Sequence, residues 1–167
     1  MGTISKQVMD IKTSKGLSQT SNEELRAWTD KGWEQAMREG NYDRSREHLN
    51  FEVQKGGIVT PIDKKRPLTK RMAENLASRG IMDPNEGLAE PRFRTVVNFI
   101  FGGSTDRMRE LAFGNQKVDF ESKGGNEHVR RMPEIEEWAR DIYRFVTDKY
   151  GEENIISFIV HCDEKNP

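Results

Sequence analysis

Residues 49–62, Leu-Asn-Phe-Glu-Val-Gln-Lys-Gly-Gly-Ile-Val-Thr-Pro-Ile, decide the fold class. Leu49, Phe51 and Val53 alternate with Asn50, Glu52 and Gln54, the period of a strand with one buried face. Gly56-Gly57 reads as a hairpin turn, since glycine enters the positive-φ region without a steric cost. Residues 58–62 read as the returning strand. A hairpin makes its strands antiparallel, and helices placed apart from it give the α+β class.

The flanking segments supply those helices. Ser21 or Asn22 is placed to cap a helix begun by Glu23 and Glu24, acidic groups at its positive end. Leu25, Trp28, Gly32 or Trp33, and Ala36 give it an apolar stripe, and Gly40 stops it. Residues 67–78 read as a second helix with Met72, Leu76 and Ala77 inward. Ser104 caps a short helix to Leu111, and Pro133 suits the first turn of a long one. Along that long helix Ile135, Trp138, Ala139, Ile142, Val146 and Tyr150 share a face. Further strands are expected over residues 4–12, over 94–101, which is dense in β-branched and aromatic residues and reads as central, and over 155–160. Residues 41–47, 83–91 and 113–129 read as loops. The whole predicts a largely antiparallel sheet flanked by helices, one domain over residues 1–167.

Composition excludes several classes. A third of the 167 residues are charged, and no apolar run approaches the ~20 residues of a membrane span. The first residues lack the apolar core of a signal peptide. The single cysteine, Cys162, excludes an internal disulfide and fits a reducing cytoplasm. Net charge is -1, yet residues 1–71 hold 14 Lys and Arg against 10 Asp and Glu, and residues 72–167 hold 13 against 18. Arg44 and Arg46, then Lys64, Lys65 and Arg66 with Lys70 and Arg71, form basic clusters that suit phosphate. The same clusters also fit an ordinary solvated surface.

Two segments carry chemistry. Residues 161–167 read His-Cys-Asp-Glu-Lys-Asn-Pro, directly after the apolar run 155–160. An imidazole at a strand end followed by carboxylates suits a divalent metal such as Mn, Mg or Zn. A satisfied histidine at a strand end is the competing reading. Residues 41–52, Asn-Tyr-Asp-Arg-Ser-Arg-Glu-His-Leu-Asn-Phe-Glu, bring arginine forks for phosphate, asparagines for base or sugar, and a phenol able to attack phosphorus. A polar loop capping its neighbours is the alternative.

Together the two segments resemble the plasmid mobilisation relaxases of the Mob/Pre (MobV) family, which have an HUH-type domain. Arg46, His48, Leu49, Asn50 and Glu52 match an Arg-x-His-Leu-Asn-x-Glu motif. Tyr150, Gly151, Asn154, Ile155, His161, Asp163, Glu164 and Pro167 match a Tyr-Gly-x-x-Asn-Ile segment leading into His-x-Asp-Glu-x-x-Pro-His-x-His. The resemblance implies a protein that binds single-stranded DNA at a plasmid origin of transfer, nicks it by metal-assisted transesterification and stays attached to the 5′ phosphate. It implies a divalent metal, Mn or Mg, on His161 and Glu164. It implies DNA contacts from Arg44, Arg46, His48, Asn50, Lys64, Lys65 and Arg66, and other mobilisation proteins as further partners.

Two departures qualify this. The chain ends on the proline that precedes the family's last two histidines, so it reads as an incomplete relaxase domain, truncated at the C-terminus, with weak metal binding. The family's histidine nucleophile lies in a His-x-x-Arg motif. If Arg26 matches that arginine, Glu23 stands at the histidine's place. Tyr42 is then the candidate nucleophile. A non-catalytic DNA-binding module using the basic surface alone is the rival reading.

Overall fold

The computed structural model describes residues 5–11, 14–90 and 92–165. In chain order its strands are β1 (Ser5–Ile11), β2 (Phe51–Gln54), β3 (Ile58–Thr60), β4 (Val96–Gly102) and β5 (Ile159–Val160). Its α-helices are α1 (Ser14–Glu24), α2 (Asp30–Glu39), α3 (Leu68–Ser78), α4 (Thr105–Phe113) and α5 (Pro133–Tyr150). A 3-10 helix, Arg44–Leu49, leads into β2, and a shorter one, Glu152–Asn154, follows α5.

The hairpin forms as the alternation predicts, with Val53 opposite Val59 and Gln54 opposite Ile58. Gly56 and Gly57 turn it at φ 85° and 78°. On the other side of β2, Phe51 pairs antiparallel with Val160 and Glu52 with Ile159. All pairing among the described residues is antiparallel, and the class is α+β as expected. The single sheet is not. The described strands form two sheets, β3-β2-β5 and a separate β1-β4 ribbon. Residues 94–101, read as the central strand, thus belong to that ribbon, with Val97 and Ile100 45 % exposed.

β2 sits at the centre of the main sheet and is buried on both faces. Phe51 and Val53 enter the core with Leu49, Phe113, Val129, Ile135, Ala139 and Val160. Glu52, expected on the wet face, is 1 % exposed because α3 covers it with Arg71. The guanidinium binds both Glu52 oxygens and also reaches the backbone carbonyls of Asp63 (2.9 Å) and Arg66 (2.7 Å). A charge removed from water at this depth is tolerated when paired and fully hydrogen-bonded. α5 presents the expected stripe, with Ile135, Ala139, Ile142 and Val146 buried. Ser104 caps α4 by accepting from the backbone N–H of Arg107. On α3 Leu68 and Arg71 are buried, Met72 packs inward against the Leu17 and Leu68 cluster as expected, and Ala77 is exposed.

The helix expected to run from Ser21 to Gly40 is instead two helices. α1 ends at Glu24, and Arg26 takes a left-handed φ of 53°. α2 restarts after Thr29, whose hydroxyl accepts from the backbone N–H of Gly32 at 3.1 Å. Ser21 lies near the end of α1 rather than capping a helix start. Its hydroxyl accepts from the backbone N–H of Leu68 at 2.9 Å and ties α1 to the start of α3. The break between α1 and α2 places Arg26 beneath the segment 161–164.

Candidate nucleic-acid interface

Residues 161–164 are held in place by the segment that precedes β2. Arg46 turns inward from the 3-10 helix and is 1 % exposed. Its Nη1 donates to the carbonyl of Cys162 at 2.8 Å and its Nη2 to the carbonyl of Glu164 at 2.9 Å. Its Nε donates to Asp43 at 2.9 Å. Asn50 Oδ1 accepts from the backbone N–H of Cys162 at 2.6 Å, and the backbone N–H of Asp43 donates to the carbonyl of Asp163 at 2.7 Å. The two segments that resemble relaxase motifs are therefore one hydrogen-bonded body. Arg46, expected at the DNA, is interior instead, with its guanidinium donating to Asp43 and to the carbonyls of Cys162 and Glu164. Asn50, also expected there, is buried as well, its Oδ1 engaged by Cys162 and its Nδ2 without a hydrogen-bond partner.

Arg26 is the hub on the other side of this segment. Nε and Nη2 donate to the two Asp163 oxygens at 2.8 and 2.9 Å. Nη2 also reaches Glu164 Oε1 at 2.9 Å, and Nη1 donates to the Glu23 carbonyl. The guanidinium carbon lies 4.6 Å from the centre of the Tyr42 ring, a cation–π distance. Burial would raise the Asp163 carboxyl, but the Arg26 hydrogen bonds and charge outweigh it and hold it below its usual range. Tyr42 donates its hydroxyl to Glu23 Oε1 at 2.8 Å and packs edge-on against Trp28. Burial and the Glu23 carboxylate raise the phenol's pKa.

His161 Nε2 meets the carbonyl of Glu24 at 2.7 Å. Burial lowers its pKa, and the neighbouring Arg26 charge lowers it further, so the ring is neutral near pH 7. The contact to Glu24 engages one ring nitrogen, and Glu164 is already paired with a guanidinium. Among the described residues no group of three or more His, Cys, Asp and Glu side chains could hold a metal ion. His161 and Glu164 therefore do not by themselves fit a resident divalent cation, which Arg26 would also repel. Pro167 lies outside the described residues.

The basic residues fall in two places. Arg44, His48 and Lys64 line one cleft of about 440 Å³ between the 3-10 helix and residues 61–64, with Asn50 in its wall. Arg44 is anchored by Asp30 at 2.7 Å, His48 Nε2 meets the carbonyl of Val129 at 2.7 Å, and Lys64 donates to Glu47 and to the carbonyl of Arg26. Lys65 and Arg66 are outside that cleft. Lys65 is exposed, and Arg66 pairs with Glu74 at 3.0 Å.

No protein-family model matches the chain, and none of the curated proteins does. Solved structures do. The MobM relaxase domain (MOBV; Mob_Pre), Mn-bound and carrying 22 nucleotides of plasmid pMV158 oriT DNA at pH 5.5, aligns with a TM-score of 0.62 and 16 % identity over 98 % of this chain. Its counterpart at pH 4.6 aligns with a TM-score of 0.59, again at 16 % identity over 98 %. The chain has the relaxase-domain fold. It spans 66 % of the length of each of those chains.

Glu23, Arg26 and Asp163 are the residues around this segment that the motif reading left without a role. One signal was present: Glu23 and Arg26 keep the spacing of the family's His-x-x-Arg. The fold brings both of them to Tyr42, and Arg26 to Glu164 as well. Among the described residues no helix is long and apolar enough to cross a membrane.

Proposed function

We propose that the chain is a relaxase-type mobilisation domain that binds single-stranded origin-of-transfer DNA. The convergence of Glu23, Arg26, Tyr42, His161 and Glu164 around one guanidinium, in this fold, carries the reading. Arg44, Lys64 and Lys65 are exposed cations suited to the phosphates of a bound strand. Such a domain works in the cytoplasm, where plasmid DNA is, beside other mobilisation proteins.

For strand transfer we assign Tyr42 as nucleophile. Its oxygen would bond to phosphorus as the bond from phosphorus to the 3′ oxygen breaks, leaving the 5′ phosphate on the protein. The 3′ oxygen leaves with a proton from water. A phenol with a raised pKa attacks poorly unless its proton leaves during the attack, and Glu23 already accepts that proton's hydrogen bond. Mn or Mg would supply charge neutralisation at phosphate. His161 and Glu164 would need further donors to hold it.

A module that binds without cutting is the second reading, favoured by the lack of a three-donor metal group among the described residues. Incubation with a supercoiled origin plasmid and Mn separates the two. Conversion to open circle with protein bound covalently supports strand transfer. Salt-sensitive binding of single-stranded DNA without nicking supports the module. No affinity for single-stranded DNA at low salt overturns both.

A further inference from the structure

We infer that the cleft between the 3-10 helix Arg44–Leu49 and residues 61–64 is a pocket for one unstacked DNA base, selecting amino-bearing bases over thymine. This rests on the single-stranded DNA reading and deepens it. At about 440 Å³ the cleft is of a size that takes a small organic ligand. Its charge argues against a phosphate site. Glu47 and Glu127 line it together with Arg44 and Lys64, so the carboxylates offset the cations. A bare phosphate would meet as much repulsion as attraction there.

A base suits the same walls. Pro61 and Ile62 give apolar surface for a ring face. The His48 imidazole stands beside them, and its contact to the Val129 carbonyl fixes the ring's direction. Flat side chains of this kind hold extruded bases by stacking, which tolerates every base. The carboxylates add choice. Glu127 is exposed and makes no hydrogen bond or ion pair with another described residue, so both its oxygens can accept. Carboxylates accept from exocyclic amines such as cytosine N4. Thymine offers carbonyl oxygens in that place, and these repel a carboxylate. Arg44 and Lys64, each with a little over two fifths of the side chain exposed, sit where the phosphates flanking an inserted base would pass.

The test is fluorescence anisotropy on the full chain with fluorescein-labelled dC12 and dT12 across a salt series. Cytosine recognition through one carboxylate is expected to favour dC12 by about fivefold, the low end of base discrimination by a good contact. Glu127→Gln replaces a pure acceptor with a group that also donates to thymine O4, so the preference should fall to within about twofold. The salt slope should stay unchanged, since no phosphate contact is lost. Glu137→Gln, an exposed change on α5, should keep the full preference. Tight but equal binding of dC12 and dT12, or a preference that survives Glu127→Gln, overturns the base pocket and leaves DNA binding standing. Failure of either oligonucleotide to bind at low salt overturns the DNA reading and the pocket with it.

Discussion

Arg26 and Asp163 form a two-point ion pair across a sequence separation of 137 residues, with side chains 1 % and 0 % exposed. The pair fixes the end of α1 to the segment that carries His161 and Glu164. It also explains a left-handed arginine. The φ of 53° is unfavourable for a residue with a Cβ, and the guanidinium contacts hold it there. Removing one partner leaves a buried charge alone, which costs about 3–5 kcal/mol. Asp163→Asn should lower the urea midpoint accordingly. Arg26→Lys should do nearly the same, because an ammonium cannot reproduce the fork. A midpoint shift under about 1 kcal/mol for either variant would mean that the pair carries little of the fold's stability.

Buried and exposed arginines separate by their salt response. Arg44→Ala and Lys64→Ala remove exposed cations, so each should weaken single-stranded DNA binding and reduce the slope of log K against log salt by ~1. Arg46→Ala removes an interior clamp on Cys162 and Glu164. It should destabilise the domain by several kcal/mol, since Asp43 loses its charge partner. At temperatures where that variant stays folded, its salt slope should equal the wild-type value. A slope reduced by a full unit in folded Arg46→Ala would place this side chain at the DNA after all.

Tyr42→Phe deletes one oxygen and the hydrogen bond to Glu23. The ring's contacts with Trp28 and Arg26 remain. Stability should change by under about 1 kcal/mol, because the lost partner, Glu23, is exposed and rehydrates. DNA affinity should hold within a few-fold. If strand transfer occurs, the covalent protein–DNA band on a denaturing gel should vanish in this variant. Its persistence would remove Tyr42 from the nucleophile's role.

The elements that were legible in the sequence were those set by local rules. The Gly56-Gly57 turn, the Ser104 cap, the Pro133 start and the apolar face of α5 each depend on residues within a turn or two. What could not be read depended on distant partners. The stop between α1 and α2 is imposed at Arg26 by Asp163, and nothing near Arg26 announces it. Glu52 and Arg71 look like surface charges one at a time and disappear only as a pair. The balance of +4 over residues 1–71 counted Arg26, Arg46 and Arg71 as available to a ligand, yet all three are buried. The site followed the same division. His161 and Glu164 were visible as a motif, whereas the guanidinium beside them was visible only as a spacing.

The Asp43 cluster gives the domain an acid limb. Burial would raise this carboxyl, but hydrogen bonds from Ser45, Asn126 and Arg46 prevail and hold it below its ordinary 3.8. A lowered folded value means that the unfolded chain binds the proton more readily. The stabilisation is therefore complete above the unfolded value and is lost as pH falls through the folded one. Asp163 adds a second group of the same sign. Urea midpoints should fall between pH 5 and pH 3, and Asp43→Asn, though less stable at pH 7, should show a shallower fall. Identical acid limbs in the two proteins would assign the pH dependence to other groups.

Cys162 supplies a probe of opening that needs no label in the core. Its side chain is 1 % exposed, and burial raises the thiol to about 12, so at pH 8 it is both covered and protonated. It is the thiolate that attacks a disulfide reagent, displacing the reagent's other sulfur, and both burial and protonation prevent that attack. The residue sits between Arg46 and Asn50, so exposing it requires those clamps to release together. Reaction with DTNB at pH 8 should accordingly run far slower than for a free thiol. Its rate should rise with urea in step with the circular dichroism of global unfolding. A fast reaction in the absence of urea would show that the segment 161–164 detaches locally, and that the two motif segments do not behave as one body.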